Sequence, residues 1–236
     1  MSFLKAEWKK LILANYAVDE DILKKYLPAK TEIDKWNGTT YVSLVGFMFK
    51  NTKVLGLKIP FHVNFEEVNL RFYVKHKQEG EWKRGVVFIK EIVPRHAITF
   101  VANTFYKEHY ATLPMRHLWE IKNNNQTIEY AWKLKNKWHS FSVESEINKS
   151  IIEPESEAAF ITEHYWGYTK INNNTTFEYE VTHPTWDQFK IKNYKIDVDF
   201  GSIYGDDFKE LNNLNPKSIM LAEGSAITVE NKRKVG

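Results

Sequence analysis

The hydrophobic pattern is clearest in the middle of the chain. Between residues 69 and 76 apolar and polar side chains alternate with a period of two, which is typical of a strand with one buried face. The apolar positions are Leu70, Phe72 and Val74, and the polar positions are Asn69, Arg71, Tyr73 and Lys75. After a polar turn at 78–81, residues 85–93 are apolar at nearly every position, so we expect a second strand that is covered on both faces.

A third strand is predicted at residues 98–105, and it leads into a dense group of reactive side chains. The group consists of Tyr106, Lys107, Glu108, His109 and Tyr110. It places a base, an acid, an imidazole and two phenols next to one another. This cluster is the first candidate for a functional site.

The rest of the pattern predicts further strands separated by short helices. A first strand or an irregular segment is expected at 8–16, and strands are expected at 40–49, in a hairpin at 119–134, from residue 139 onward, at 177–183, and at 218–229 with a break at Gly224. Helices are expected at 18–27, at 155–163 and at 207–214. Asp19 can cap the first helix and Pro28 ends it. The basic tail at 231–236 is expected to fray.

Several short motifs carry a family resemblance. They are NLRFYV at 69–74, GVVF at 85–88, the region 103–115, TEHY at 162–165 and VTHPTW at 181–186. They resemble the YqjF-like family of uncharacterised bacterial proteins, within the acetoacetate decarboxylase-like superfamily. The resemblance implies a mainly β fold with a minor α content, a single antiparallel barrel or cone with a few short helices and a central cavity. The chain departs from the family at His164 and Asn103, where an arginine is often found.

Composition narrows the class of protein. A chain of 236 residues with few, scattered glycines and prolines suits a single domain over 1–236, with its core at about 8–229. An aromatic content of 15% supplies large groups for that core. The formal charge of +3 is spread along the chain, which argues against a nucleic-acid partner.

The cysteine content and the hydropathy of the chain predict the cellular location of the protein. The absence of cysteine excludes disulfides, thiolate nucleophiles and cysteine-ligated metals, and it fits a reducing compartment. No stretch approaches the roughly 20 apolar residues that a membrane helix needs. We therefore expect a cytoplasmic protein that has no membrane partner.

Lys107 is the candidate for imine chemistry. In acetoacetate decarboxylase a lysine amine attacks the substrate ketone, and a second lysine with a dry pocket keeps that amine neutral. By rough placement Lys107 falls near that position, but the adjacent lysine pairs of this chain are at 9–10 and 24–25. Glu108 beside Lys107 favours the unreactive ammonium. The alternative is a solvated or salt-bridged lysine.

Two further groups of side chains have both a functional and a structural interpretation. Arg71 and Tyr73 could line a cavity, where an arginine can bind a carboxylate through two hydrogen bonds, or they could lie on a solvated face. Glu108, His109 and Tyr110 could exchange protons with a substrate, or they could form a hydrogen-bond network that closes a strand.

The histidines give weaker signals. His183 lies on an apolar strand face before Pro184, where a satisfied core histidine is the common case and a ligand contact the alternative. The eight histidines show no paired spacing typical of a metal site. The chain also has no phosphate-binding glycine loop or dinucleotide fingerprint, so we expect neither a metal nor a cofactor.

These observations favour a protein that binds a small organic molecule carrying a carboxylate or a carbonyl group. Candidate ligand-binding residues are Arg71, Tyr73, Tyr110, Arg116 and His183, and candidate catalytic residues are Lys107 and Glu108. Binding is preferred because the lysine pair is missing. The alternatives are a lyase or decarboxylase that uses a pocket lysine or an acid–base pair, and a protein-interaction module with an exposed sheet edge. The sequence does not decide between a monomer and a homo-oligomer.

Overall fold

Long strands dominate the computed structural model, which describes residues 2–235 except for the side chains of Phe105 and Tyr106. The Tyr106 side chain of the predicted cluster therefore lies outside the described part. The strands are β1 (Leu4–Ala17), β2 (Glu32–Ile33), β3 (Tyr41–Val54), β4 (Phe65–Gln78), β5 (Glu81–Val93), β6 (Tyr110–Thr112), β7 (Met115–Lys122), β8 (Asn125–Leu134), β9 (Lys137–Ile151), β10 (Trp166–Asn172), β11 (Thr175–Thr182), β12 (Asp187–Asp197), β13 (Ser218–Ala222), β14 (Ala226–Val229) and β15 (Arg233–Lys234).

The helices are short and lie between strands. They are α1 (His96–Val101), which continues into a π-helical turn at Ala102–Tyr106, α2 (Glu157–Thr162), α3 (Phe200–Tyr204), and two 3₁₀ helices at Glu20–Tyr26 and Asp206–Asn213. Among the residues described, no helix is long and apolar enough to cross a membrane.

Seven of the strands close into a barrel. Their order is β1-β3-β4-β5-β10-β11-β14, and β14 pairs with β1 to complete the ring. Neighbouring strands are antiparallel except β5 and β10, which are parallel. The predicted mainly β, barrel-like fold with few short helices is confirmed.

Strand β1 belongs to two layers. Residues 4–7 pair with β14 inside the barrel, whereas residues 11–15 pair with β13, from which the sheet continues through β12, β9, β8 and β7. The chain passes between these layers at Gly224, which has a φ of +78°. A Cβ there would lie 2.0 Å from the Trp8 carbonyl oxygen, so this crossing needs a glycine. The predicted break in the last strand is confirmed.

The outer layer gives the barrel a second hydrophobic core. Leu70 and Phe72 of β4 are fully buried against this layer, where they belong to the same cluster as Trp132 and Phe141. The opposite face of β4 points into the barrel and is equally buried, with Arg71 only 8% exposed. Both faces of β4 are therefore covered, and the expectation of a half-buried strand is corrected.

Two local predictions are wrong. The expected strand at 98–105 is α1 and the π-helical turn, because Ala97, Ile98 and Val101 repeat at helical spacing and pack on the barrel. The tail does not fray at its described end. Strand β15 pairs with β11, Val235 is buried, and the Nε of Arg233 lies 2.7 Å from a Glu178 carboxylate oxygen.

The first helix forms where it was expected but with a tighter geometry. It is the 3₁₀ helix Glu20–Tyr26, and the Asp19 carboxylate accepts a hydrogen bond from the Asp21 amide at its start. Strand β12 has no counterpart among the sequence predictions. Its alternation of apolar and polar residues changes phase between Ile191 and Tyr194, where the pairing with β9 is irregular.

Candidate functional site

The barrel contains a cavity of about 200 Å³. This is roughly the volume of six or seven waters in the liquid, so the cavity matches a small organic molecule. Its walls are mostly apolar, and their phenylalanine and tryptophan residues are Phe3, Trp8, Phe47, Phe49, Phe65, Phe88, Trp166 and Trp186. Helix α1 contributes the small side chain of Ala97 and the aliphatic side chains of Ile98 and Val101.

Three buried glutamates lie in the wall of this cavity. Glu67 is on β4, Glu91 on β5 and Glu108 just before β6, and their exposures are 3%, 2% and 7%. Strand register brings the polar residues together: Asn69 pairs with Glu91, and Glu91 pairs with Tyr110. Because paired residues point to the same face of a sheet, these side chains form one polar row across β4, β5 and β6.

Hydrogen bonds hold the three carboxyl groups, and Glu91 is hydrogen-bonded to Tyr110. Glu67 accepts from the Asn69 amide and from the Tyr110 hydroxyl, both at 3.0 Å. Glu108 accepts from the Thr169 hydroxyl at 2.6 Å and is also hydrogen-bonded to Tyr179. Within the described chain, Oε2 of Glu91 and Oδ1 of Asn69 have no hydrogen-bond partner.

A glycine makes room for the Tyr179 contact. A Cβ on Gly167 would lie 2.2 Å from Cζ of the Tyr179 ring. The missing side chain allows that ring to lie against β10. The hydroxyl of Tyr179 then reaches Glu108 inside the barrel.

Burial changes the protonation of the glutamates. It raises the pKa of Glu67 and of Glu108 to about 7, although hydrogen bonds to each carboxylate act in the opposite direction. Burial also raises the pKa of Glu91 well above its ordinary value, and the negative charges of Glu108 and Glu67 add to this effect. Near neutral pH these side chains can therefore carry protons and act as hydrogen-bond donors.

Arg71 provides a positive charge in the same cavity. Its Nη2 donates to the Ile161 carbonyl oxygen at 3.3 Å, and its Cζ lies 5.5 Å from the centre of the Tyr73 ring. Its Nε is buried and has no partner in the described part of the chain. The guanidinium therefore keeps a donor for a further acceptor.

A histidine paired with an aspartate completes the polar lining. The Nε2 of His164 lies 3.2 Å from Asp34, whose carboxylate also accepts from Nε of Arg84 at 2.7 Å. Although burial opposes it, hydrogen bonds from His164 and Arg84 lower the pKa of Asp34 to about 2. Burial lowers the pKa of His164 to about 4, so its ring is neutral at pH 7 and donates through Nε2. Nδ1 is then an acceptor, and it has no partner within the described residues.

The predicted site residues fall into two groups. Arg71, Glu108, Tyr110 and His183 line the cavity. The ring of His183 stacks on Trp186 with centroids 4.2 Å apart. Burial lowers the pKa of His183.

The other three predicted residues lie outside the cavity lining. Tyr73 is buried behind the wall, with its hydroxyl 2.7 Å from that of Ser43. Lys107 is exposed and, with a φ of +61°, ends the π-helical turn just before the buried Glu108. Arg116 is exposed on β7 in the outer layer, with its guanidinium over Trp138. The described lining contains no lysine.

Glu67, Glu91 and the Asp34–His164 pair were not among the site residues predicted from the sequence. For Glu91 a signal existed, since it is a carboxylate within the apolar run that predicted a strand covered on both faces. His164 lay in a family-like motif, but its aspartate partner is distant in sequence.

The described residues include no group of three or more histidine, cysteine, aspartate or glutamate side chains arranged to hold a metal ion.

Comparisons with known proteins agree with the fold. The sequence model of the DUF2071 family, described as an uncharacterized conserved protein, matches residues 5–226. Uncharacterized protein YqjF of Bacillus subtilis (strain 168) is 28% identical over 187 residues, which cover 78% of this chain and 74% of YqjF.

Solved structures show the same architecture at low identity. Acetoacetate decarboxylase from Legionella pneumophila superposes with a TM-score of 0.67 at 11% identity, covering 99% of this chain and 87% of that one. The enduracididine biosynthesis enzyme MppR complexed with pyruvate gives a TM-score of 0.68 at 12% identity, covering 100% and 91%. The barrel is therefore of the acetoacetate decarboxylase-like type.

Proposed function

This chain belongs to the DUF2071 family, and from its cavity we propose that it binds a small organic molecule carrying a carboxylate or a carbonyl group, with Arg71 as the anchor. The observation that carries the proposal is the buried guanidinium with an unpaired Nε in the wall of a mostly apolar cavity. A buried charge is unfavourable unless an opposite charge or hydrogen bonds compensate it. A ligand oxygen at Arg71 supplies that compensation.

The acids around Arg71 are compatible with such a ligand. When Glu67 and Glu108 hold protons, they do not repel an anion, and their O–H groups can donate to a ligand oxygen. The pKa of each is raised to about 7 by burial, so this condition holds below neutral pH. The apolar walls then surround the remainder of the ligand.

Binding without an imine is the preferred form of this function. An imine enzyme needs a lysine amine in contact with the substrate, and the cavity lining of the described residues has none. Lys107 is exposed to solvent. MppR, a structural neighbour, is complexed with pyruvate, a molecule that carries both a carbonyl and a carboxylate. That likeness supports the ligand class and not a reaction.

A second candidate function is acid–base catalysis on such a ligand. It is favoured by the pKa of about 7 for Glu67 and for Glu108, because a group that titrates near the working pH can both donate and accept a proton. The neutral His164 ring, oriented by Asp34, adds a hydrogen-bond acceptor to the lining. A cytoplasmic location, a single domain and a homo-oligomer remain predictions.

The test is a binding screen with two matched arginine variants. Small carboxylates, keto acids and ketones are titrated by calorimetry into the wild type, Arg71→Met and Arg116→Met. Arg116 is the control because it is an exposed arginine of the outer layer. We expect Arg71→Met to weaken carboxylate binding by at least about tenfold, since a charged hydrogen bond contributes roughly 1.5–3 kcal/mol. Equal affinity of the two variants would remove Arg71 as the anchor.

Borohydride trapping separates binding from imine chemistry. The protein is incubated with the same keto acids and borohydride, and its intact mass is measured before peptide mapping. We expect no stoichiometric adduct. An adduct formed by one lysine, at Lys107 or elsewhere, would replace the binding proposal with an imine enzyme.

A further inference from the structure

Unpaired hydrogen-bond acceptors gather on one side of the cavity. Oδ1 of Asn69 and Oε2 of Glu91 are buried, lie in cavity-lining residues, and have no partner in the described part of the chain. The side chains themselves are 1% and 2% exposed. The Asn69 amide nitrogen already donates to Glu67 at 3.0 Å, which leaves its oxygen as the unused atom. The cavity therefore contains hydrogen-bond acceptors for a ligand in addition to the binding point for an anion at Arg71.

The acceptors lie beside Arg71. Asn69 and Glu91 are directly paired across β4 and β5, so their side chains are neighbours on the cavity face. Arg71 follows Asn69 by two positions on the same face of β4, at a backbone spacing of about 7 Å. One small molecule can therefore contact the guanidinium and both acceptors at once.

We propose that the ligand carries a cationic nitrogen group, an ammonium or an amidinium, held by Glu91 and Asn69, in addition to the oxygen group held by Arg71. The inference rests on the proposed function, because it identifies the second end of the same ligand. It defines the ligand class as an amino carboxylate or a close analogue, with an apolar part against the aromatic walls.

Hydrogen-bond and charge requirements favour this class over a plain carboxylate. A ligand with only carboxylate or carbonyl oxygens brings no donor to the Asn69 oxygen, and it leaves Glu91 protonated, because burial and the neighbouring acids raise the pKa of that carboxyl. A nitrogen cation donates to both side chains and displaces the Glu91 proton, so that a carboxylate forms opposite the cation. Each charge of the ligand then faces an opposite charge, at Arg71 and at Glu91.

The experiment compares probes that differ only in the nitrogen group. Calorimetry measures the binding of leucine, 4-methylpentanoate, 4-methyl-2-oxopentanoate and 3-methylbutylamine, and of 5-aminopentanoate against pentanoate as a set with a longer spacing. The proteins are the wild type, Glu91→Gln and Glu81→Gln. Glu81 is an exposed glutamate at the start of the same strand, which makes it the matched control.

We expect at least one amino carboxylate to bind about tenfold or more tightly than its deaminated match. Glu91→Gln should abolish that ratio and keep the affinity for the plain carboxylate, whereas Glu81→Gln should keep both. The glutamine variant is suited to this test because it retains the shape of the side chain and cannot form the carboxylate that would face the cation.

Two results would overturn the inference, and they are distinguishable. If carboxylates or keto acids bind in an Arg71-dependent manner and the amino group adds nothing in either set, the second end of the ligand is wrong and the proposed function stands. If no member of either set binds to the wild type, the proposed function fails and the inference fails with it.

Discussion

The two faces of β4 are equally buried, yet they contain opposite kinds of side chain. Leu70 and Phe72 point to the outer layer, belong to its hydrophobic cluster and bring no polar side-chain atom to it. Asn69 and Arg71 point into the barrel, and each has a polar atom without a partner in the described chain. Burial of Leu70 and Phe72 stabilises the fold, and this accounts for the apolar side chains of the first face. Stability does not explain the second face, because buried polar atoms without partners lower stability. The difference teaches that the kind of side chain that is buried, and not burial alone, distinguishes the two faces of β4.

The largest effect is expected on the apolar face. Phe72→Ala removes a fully buried ring and should lower the free energy of unfolding by about 3–5 kcal/mol, because the surrounding side chains cannot close the space. Urea unfolding followed by fluorescence measures this loss. A loss below about 1 kcal/mol would mean that this face does not form the structural core.

The second-largest expected effect is a pH dependence of the free energy of unfolding that comes from Glu108 in the cavity. Burial raises the pKa of Glu108 from 4.5 to about 7 in the folded protein. Below pH 4.5 both folded and unfolded chains hold the proton, so this group has no effect. As pH rises from 4.5 to 7, the unfolded chain loses its proton first, and stability falls by about 3 kcal/mol in total before levelling off.

Glu108→Gln should remove most of that fall. Glutamine has no proton to lose, and the hydroxyls of Thr169 and Tyr179 can donate or accept toward its amide. Glu67 and Glu91 still titrate nearby, so part of the pH dependence of stability stays. Urea unfolding between pH 5 and pH 8.5 measures it, with exposed Glu81→Gln as the control. Equal slopes for the wild type and Glu108→Gln would contradict the assignment.

The smallest effect has the opposite sign to the first. Arg71→Met replaces a buried cation by an apolar chain of similar length, so we expect the free energy of unfolding at pH 7 to stay unchanged or to rise by about 1 kcal/mol. The same variant should lose the binding of carboxylates. A loss of stability above about 2 kcal/mol would place Arg71 among the structural residues of the fold and would weaken the contrast between the two faces.

The sequence predicts those parts of the fold that depend on local periodicity. The alternation around Leu70 and the apolar run that contains Val87 identify β4 and β5. Residues 98–105 mislead because Ile98 and Val101 are β-branched residues in a helix, and only their spacing reveals its period.

The candidate site is harder to predict because it is assembled from distant residues. Arg71, Tyr110 and Glu108 could be selected one by one, but their grouping depends on the register of β4, β5 and β6. The role of His164 depends on Asp34, which is 130 positions away. The cavity position of Arg71 rather than Arg116 is a property of the barrel, and no local pattern distinguishes the two arginines.

The double role of β1 has a consequence for the order of events during synthesis. The ring around the cavity closes only when residues 4–7 of β1 pair with β14, in a register that joins residue 4 to residue 229. A ribosome must therefore release nearly the whole of this sequence before the cavity exists. Such distant pairing is typical of slow folding. Until then residues 4–7 of the amino-terminal strand have no partner along that edge.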